Sequence, residues 1–132
     1  MTRGASIVIV GAGKIGAALA QYRGFATRGF KVVGVYDSDP ARVGLKLDGV
    51  TVRADADLEK DIQKLKPQIA VLCVPADAAQ PLVDRVTKAG VKAVLNFAPT
   101  PITVPAGVTL RAVNMATELE ILAFTLTNEL AS

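Results

Sequence analysis

Blocks of apolar residues alternate along the chain with blocks whose apolar positions have helical spacing. The first apolar block, residues 7–10, has the length of a buried strand. Three glycines follow it at positions 11, 13 and 16, and an alanine-rich run of good helix formers comes next. The pattern therefore predicts a strand that turns on glycines into a helix over residues 14–28.

The same alternation continues to the end of the chain. Further strands are predicted at residues 30–36, 50–53, 69–74, 93–97 and 109–113, and further helices at 41–44, 57–65, 78–88 and 116–130. Pro81 fits its helix only if it lies in the first turn, where the missing N–H costs little. Strands that alternate with helices predict an α/β fold with a doubly wound parallel sheet and right-handed crossovers.

The glycines have the spacing Gly-x-Gly-x-x-Gly at a strand-to-helix junction, and this context gives each of them a role. Gly11 permits the tight turn, Gly13 lets the backbone approach a pyrophosphate, and Gly16 lets helix and strand pack closely. This is the arrangement of a Rossmann dinucleotide-binding domain. The alternative is a glycine turn that merely packs tightly.

An acidic residue at the end of the second strand bears on the nucleotide. Asp37 lies about twenty residues beyond the last glycine, where a Rossmann domain places a carboxylate that accepts both hydroxyls of the adenosine ribose. A 2′-phosphate would be repelled there. The nearest downstream cation, Arg42, lies beyond Pro40 and is less well placed to reverse this preference, so the sequence favours NAD(H) over NADP(H).

Ligands of such sheets bind outside the carboxyl ends of the strands, where the strand order reverses. This rule selects residues 74–76 and 96–99 as walls of one crevice near the nicotinamide half, although each segment taken alone is more typical of a tight strand exit than of a ligand contact. The predicted cofactor-binding residues are Gly11, Ala12, Gly13, Lys14, Ile15, Gly16, Asp37, Val74, Pro75, Ala76, Asn96, Phe97, Ala98 and Pro99.

Composition narrows the class of protein. The chain has 132 residues, 51% hydrophobic and 20% charged, which is typical of one compact α/β domain. Its net charge of +3 comes from scattered basic residues, which do not form a nucleic-acid footprint. The apolar runs are too short to span a membrane, and the single cysteine fits a reducing compartment. We therefore expect a soluble, cytoplasmic protein.

The sequence contains no histidine. This absence removes the commonest general acid or base and a principal metal ligand. After the last helix the chain has no residues left for a second surface that would hold a substrate against a dinucleotide. We therefore expect no catalytic residues, no bound metal and no enzymatic activity.

Several stretches together resemble the nucleotide-binding domain of the Rex redox-sensing transcriptional repressors. They are the glycine turn at 11–16, Tyr-Arg-Gly-Phe at 22–25, Tyr-Asp-Ser-Asp-Pro at 36–40, Val-Pro-Ala at 74–76, Asn-Phe-Ala-Pro at 96–99 and the closing segment 111–119. The resemblance covers essentially the whole chain in order. Tyr-x-Gly-Phe joined to Asn-Phe-Ala-Pro is much more specific than the glycine motif.

The resemblance implies a sensor domain that binds NADH and NAD⁺ and reports their ratio. It also implies a homodimer that exchanges its C-terminal helix and binds operator DNA through an N-terminal winged helix. No winged-helix segment precedes the first strand, so we expect this chain alone not to recognise an operator. We expect a Rossmann domain at residues 1–115, with 116–132 as a helix that either belongs to the same domain or is swapped in a dimer.

Three residues are implied by the resemblance to couple the subunits, namely Tyr22, Asn114 and Met115. At the position of Asn114 the family commonly has an aspartate that answers the partner's Tyr22 and an arginine of the DNA-binding domain. Asparagine keeps a hydrogen bond but loses the charge. Met115 follows, where a bulky apolar side chain of the partner is expected to reach toward the nicotinamide pocket.

Two other functions remain open from the residues alone. One is the cofactor domain of an NAD-dependent dehydrogenase. The other is a CoA-binding domain of the acyl-CoA ligase type, since these domains share the opening fold. Asp37 argues against CoA, whose adenosine carries a 3′-phosphate.

Overall fold

The computed structural model describes residues 4–131, except for the side chains of 115–118 and 128–131. The strands of the described residues are β1 (Ala5–Val10), β2 (Phe30–Asp37), β3 (Lys46–Leu47), β4 (Val50–Ala54), β5 (Ile69–Leu72), β6 (Ala93–Asn96) and β7 (Thr109–Ala112). Their α-helices are α1 (Lys14–Ala20), α2 (Gly24–Thr27), α3 (Leu58–Leu65), α4 (Ala76–Lys88) and α5 (Met115–Ala131). A 3₁₀ turn at Asp55–Asp57 precedes α3.

The strands form one sheet in the order β3-β4-β2-β1-β5-β6-β7. All pairs are parallel except β3 with β4. The central strand β1 pairs with β2 on one side and β5 on the other, so that Val10 lies between Tyr36 and Leu72. The strand order reverses at β1, and the predicted doubly wound parallel α/β fold is confirmed.

Strand β1 is buried on both faces because its side chains alternate between two apolar clusters. Val8 and Val10 pack with the cluster that includes residues of α3 and α4. Ile7 and Ile9 pack with the cluster that includes Ala20 of α1. A central parallel strand covered by helices on both faces has no polar face, which explains the continuous apolar run.

The helix predicted over residues 14–28 is two helices, α1 and α2, and this prediction was wrong in its length. The break falls at Gln21–Arg23, where the ring of Tyr22 lies so close to Gly24 that a Cβ there would overlap it. The same ring packs edge-on against Phe25, with centroids 5.0 Å apart. The Tyr-x-Gly-Phe sequence thus ends one helix and begins another.

The helix predicted at 41–44 is also wrong, because these residues form turns. They lead into a hairpin of β3 and β4 that the prediction omitted. Asp48 and Gly49 join the two strands with φ values of 51° and 86°. An Asp-Gly pair with positive φ at both positions is typical of a two-residue hairpin turn, so the dipeptide itself carried the signal.

Helix α4 begins two residues earlier than predicted, directly after Pro75. Pro81 is therefore its sixth residue and does not lie in the first turn as predicted. Proline has no N–H to donate to the carbonyl of Asp77, four residues earlier. The helix continues past this missing bond because its buried face packs into the core through Leu82, Val83 and Val86.

The C-terminal helix α5 carries exposed apolar side chains. The exposed fraction of Leu119, Ile121, Leu122, Phe124 and Leu126 ranges from 54% to 69%. These side chains therefore do not cover a face of the chain's own sheet. The side chain of Met115 lies outside the described residues.

None of the described helices is both long enough and apolar enough to cross a membrane.

Candidate functional site

A cleft of about 360 Å³ opens at the carboxyl ends of β1, β2 and β5. It lies at the point where the strand order reverses, which is where doubly wound sheets bind their ligands. Its described lining residues are Val10, Gly11, Asp37, Ser38, Asp39, Arg42, Asp55, Cys73, Val74, Pro75, Ala78, Pro81, Leu82 and Arg85. Four of the predicted cofactor-binding residues are among them, namely Gly11, Asp37, Val74 and Pro75.

Two glycines of the turn are required by packing. Gly11 has a φ of 103°, and a Cβ there would overlap the carbonyl oxygen of Cys73. A Cβ at Gly16 would overlap the carbonyl oxygen of Gly11. Gly13 differs from both, because its φ of −70° suits any residue and the nearest atom to a Cβ would be Nη1 of Arg42 at 3.8 Å. The free fold thus tolerates a side chain at Gly13, so packing alone does not require glycine there.

Asp37 joins the end of β2 to the glycine turn. Its Oδ2 accepts the N–H of Ala12 at 2.7 Å, and its Oδ1 accepts the N–H of Asp39 at 2.8 Å. Burial alone raises the pKa of the Asp37 carboxyl, but the hydrogen bonds from Asp39, Ala12 and Arg42 outweigh it and hold the pKa below its ordinary value. Asp37 is therefore an ionised carboxylate at neutral pH although only 6% of its surface is exposed.

Arg42 is closer to this carboxylate than the sequence suggested. Its Nη1 lies 3.4 Å from Oδ2 of Asp37. The turn after β2 folds back, with the N–H of Arg42 donating to the carbonyl of Asp39 at 3.0 Å, and this brings the side chain over Gly13. The expectation that Arg42, beyond Pro40, is less well placed to act near Asp37 is corrected by this contact.

Arg85 of α4 lines the opposite side of the cleft and was not predicted. Its Nε and Nη2 donate to the two carboxylate oxygens of Glu59 at 2.7 Å each. Its Nη1 and Nη2 donate to the side chain and carbonyl of Asp55 at 3.1 and 2.8 Å. Hydrogen bonds from Arg85 hold the pKa of the Glu59 carboxyl at about 2. Arg85 fastens the 3₁₀ turn and α3 to α4, an arrangement of residues distant in sequence that no local pattern signals.

Residues 96–99 begin at the end of β6, which pairs with β5 so that Leu72 lies opposite Asn96. They do not line the cleft. Asn96 is buried and shapes its own loop, because Oδ1 accepts the N–H of Ala98 at 2.9 Å and Nδ2 donates to the carbonyl of Thr100 at 3.0 Å. In this loop Phe97 is half-buried, Ala98 is buried and Pro99 is exposed.

Gln80 of α4 fixes the proline-rich loop that follows, and this role was also missed. Its Oε1 accepts the N–H of Thr103 at 2.9 Å, and its Nε2 donates to the Thr103 carbonyl at 3.0 Å. The side-chain amide thus pairs with the backbone as a neighbouring strand would. A second bond from Nε2 to Asp84 at 2.9 Å holds the amide in place.

The remaining predicted cofactor residues differ in exposure. Ala12 is buried in the turn, while Lys14 and Ile15 are exposed in the first turn of α1. Pro75 and Ala76 are exposed at the start of α4. Of these five positions, Pro75 alone lines the cleft.

Among the predicted coupling residues, Tyr22 is 57% exposed and Asn114 is also exposed. The thiol of Cys73 lines the cleft, and burial raises its pKa to about 11. It is therefore a neutral thiol at physiological pH. Within the described residues, no three side chains of the metal-binding types come together.

Over residues 2–100 the sequence matches the family described as CoA binding domain. It is 49% identical over 124 residues to the redox-sensing transcriptional repressor Rex of Streptomyces avermitilis, which covers 94% of this chain and 49% of that protein. The Rex repressor of Roseiflexus sp. is 35% identical over 132 residues, with 100% of this chain and 60% of that protein covered. The chain thus spans about half the length of the curated relatives it matches.

The fold is also similar to crystal structures of RSP, a Rex-family repressor, at a TM-score of 0.91 and 36% identity. One of these structures is a complex with β-NADH, and the similarity covers 96% of this chain and 61% of RSP. Another is a complex with β-NAD⁺ and operator DNA. Since the family match extends over most of the sequence, the chain belongs to the family of CoA-binding domains, and its resemblance to the Rex redox-sensing repressors is confirmed.

Proposed function

We propose that the chain is the NAD(H)-binding sensor domain of a redox-sensing transcriptional repressor. The observation that carries this proposal is the ionised Asp37 carboxylate at the end of β2, tied to the glycine turn through Ala12. A carboxylate in this position accepts the hydroxyls of an unphosphorylated adenosine ribose. The likeness to RSP, solved with β-NADH and with β-NAD⁺, supports the same cofactors.

We infer that the two sides of the cleft contact different parts of the dinucleotide. Gly13 lets the turn approach the pyrophosphate, and Asp37 holds the adenosine ribose. Val74 and Pro75, at the exit of β5, line the side of the cleft from which the nicotinamide half would extend toward residues 96–99 at the exit of β6. The bonds of Asn96 and Gln80 give the loops after β6 a fixed shape before any ligand arrives.

We propose that the dinucleotide is bound and not consumed. Among the described residues of the cleft, the thiol of Cys73 stays protonated because burial raises its pKa to about 11. The Arg85 guanidinium is engaged by Glu59 and Asp55. A sensor needs only a difference in affinity between the two redox forms of its ligand, and the relatives named above are transcriptional repressors.

The partners follow from the same resemblance. The apolar side chains of α5 are exposed, and a second copy that covers them would make a homodimer in which residues 116–132 are exchanged and 1–115 form the nucleotide-binding domain. We propose that operator binding belongs to the part of such repressors that this chain does not span. A regulator of this kind works in the cytoplasm, beside the DNA that it controls.

CoA is the main competing ligand, because the family description names it. Its 3′-phosphate would bring negative charge to the Asp37 carboxylate, and two like charges at contact distance repel each other. A dehydrogenase cofactor domain is less favoured, because it requires a proton-transfer group beside the nicotinamide.

The test is a calorimetric titration of the purified chain with NADH, NAD⁺, NADPH and CoA in parallel. We expect NADH to bind more tightly than NADPH and CoA. Asp37→Asn keeps an acceptor for Ala12 but removes the charge, and it should weaken NADH by about tenfold or more, the size of a charged hydrogen bond. Tighter binding of CoA or NADPH than of NADH would contradict the proposal, as would equal losses of NADH and CoA in Asp37→Asn.

A further inference from the structure

The acceptor sites of Asp37 are nearly filled in the free chain. A carboxylate offers about four lone-pair sites on its two oxygens. Ala12, Asp39 and Arg42 each donate to one of them. A ribose diol presents two hydroxyl donors, so one of the three protein donors must yield or share its place when the ribose binds.

Arg42 is the donor that can yield. The N–H groups of Ala12 and Asp39 belong to the backbone and lie at 2.7 and 2.8 Å. The Arg42 contact is longer, 3.4 Å, and comes from a flexible side chain that is 45% exposed. Displacing Arg42 therefore leaves the turn intact.

A displaced Arg42 stays at the adenosine end of the cleft. Its backbone is held by the turn, since its carbonyl also accepts the N–H of Leu45 at 3.2 Å. The guanidinium lies about 4 Å from the position of a Cβ on Gly13. Within the described lining, the only other arginine is Arg85, whose donors are taken by Glu59 and Asp55.

On this basis, which rests on the proposed function, we propose that Arg42 is a specificity-determining residue of the ribose site. It competes with the ribose hydroxyls for Asp37, and when released it offers a cation to a phosphate on the adenosine ribose. Arg42 thereby reduces the factor by which the site prefers NADH to dinucleotides with a phosphorylated ribose.

Removing the Arg42 side chain should change the affinities for NADH and NADPH in different directions. Without the guanidinium, Asp37 is free for the ribose diol, and NADH binds as tightly as before or more tightly. A 2′-phosphate then meets the carboxylates of Asp37 and Asp39 without a counter-charge. The ratio of the dissociation constants of NADPH and NADH should rise about tenfold, the effect of one charge-assisted hydrogen bond.

The experiment measures NADH binding directly and NADPH binding by displacement of NADH, in the unmodified chain and in the Arg42→Ala variant. Arg28→Ala is the control, because Arg28 is exposed, lies outside the cleft lining and changes the net charge equally. We expect the ratio to rise in Arg42→Ala alone. Arg42→Lys keeps the charge and should recover most of the NADPH binding.

Two results would overturn the role of Arg42. One is an unchanged ratio in Arg42→Ala, which includes an equal loss of both ligands, and the other is a failure of millimolar NADPH to displace NADH from the unmodified chain. A chain that fails to bind NADH at all would instead contradict the proposed function, so the two failures are distinguishable.

Discussion

The cleft and the C-terminal helix α5 differ in whether their side chains have partners within the chain. Around the cleft, Asp37 is bonded to Ala12 and Asp39, and Arg85 is bonded to Asp55 and Glu59. No buried polar side-chain atom in the described part of the chain lacks a hydrogen-bond partner. On α5, five large apolar side chains remain more than half exposed.

The difference separates polar groups that find their partners within the chain from apolar side chains that the chain leaves exposed. A preformed set of hydrogen bonds lets the cleft bind a ligand without ordering new groups, which reduces the entropic cost of binding. Five large apolar side chains exposed on one helix are unfavourable in water and are typical of an interaction surface. The polar groups of the first region have their partners within one copy, whereas the apolar side chains of the second are not buried in it.

The largest expected effect tests whether the cleft is built by packing of the glycine turn. Gly16→Ala should lower the free energy of unfolding by about 3 kcal/mol, because the added Cβ meets the carbonyl of Gly11 and the backbone cannot yield as a side chain can. Urea unfolding at one fixed protein concentration measures this change.

Gly13→Ala is the matched control. The position has open space and an unstrained φ, so its stability should stay within about 1 kcal/mol of the unmodified chain. Its affinity for NADH should fall about tenfold or more, because the Cβ occupies the approach of the pyrophosphate. Equal unfolding free energies for the two variants would show that packing does not distinguish these glycines.

The sequence is sufficient to predict those parts of the fold and the cleft that depend on local sequence patterns. The strand and helix order, the roles of Gly11 and Gly16 in packing, and the position of Asp37 after β2 follow from periodicity and spacing. Asp48-Gly49 carried a usable hairpin signal as well. The break after α1 depends instead on where the Tyr22 ring packs, which neighbouring residues do not determine.

The partners of the two cleft arginines lay beyond such prediction for different reasons. Arg42 reaches Asp37 only because the turn after Pro40 folds back over Gly13. Arg85 meets Glu59 and Asp55 from 26 and 30 residues away, through the packing of α4 beside α3. Hydrogen bonds between distant residues depend on the assembled fold, and a single sequence does not encode them locally.

The next effect concerns the exposed apolar side chains of α5 and the dimer proposed to bury them. If a second copy buries this helix, Leu122→Ser should weaken the dimer by about 2 kcal/mol, or roughly thirtyfold in its dissociation constant, the cost of losing an apolar contact in an interface. Sedimentation velocity over a range of concentrations measures it. Glu120→Ser, an exposed polar position on the same helix, is the control and should leave the dimer unchanged. A monomeric unmodified chain at tens of micromolar would contradict the dimer.

The smallest effect tests the charged pairs beside the cleft through pH. The folded chain holds the pKa of Glu59 at about 2, below its ordinary value of 4.5, so the pair with Arg85 stabilises the fold above pH 4.5 and loses this contribution as the pH falls toward 2. Arg85→Gln should cost about 1 kcal/mol or less at pH 6, since Glu59 is partly exposed and solvent weakens the pair.

The difference in unfolding free energy between Arg85→Gln and the unmodified chain should therefore shrink as the pH is lowered from 6 to 2. Carboxylates that do not contact Arg85 titrate alike in both proteins and cancel in the difference. Lys88→Gln removes a charge from the same helix at an exposed position, and its difference should not depend on pH over this range. A pH-independent cost for Arg85→Gln would mean that Arg85 holds α3 and α4 together by packing, and that the cleft owes its shape to apolar contacts instead of its ion pairs.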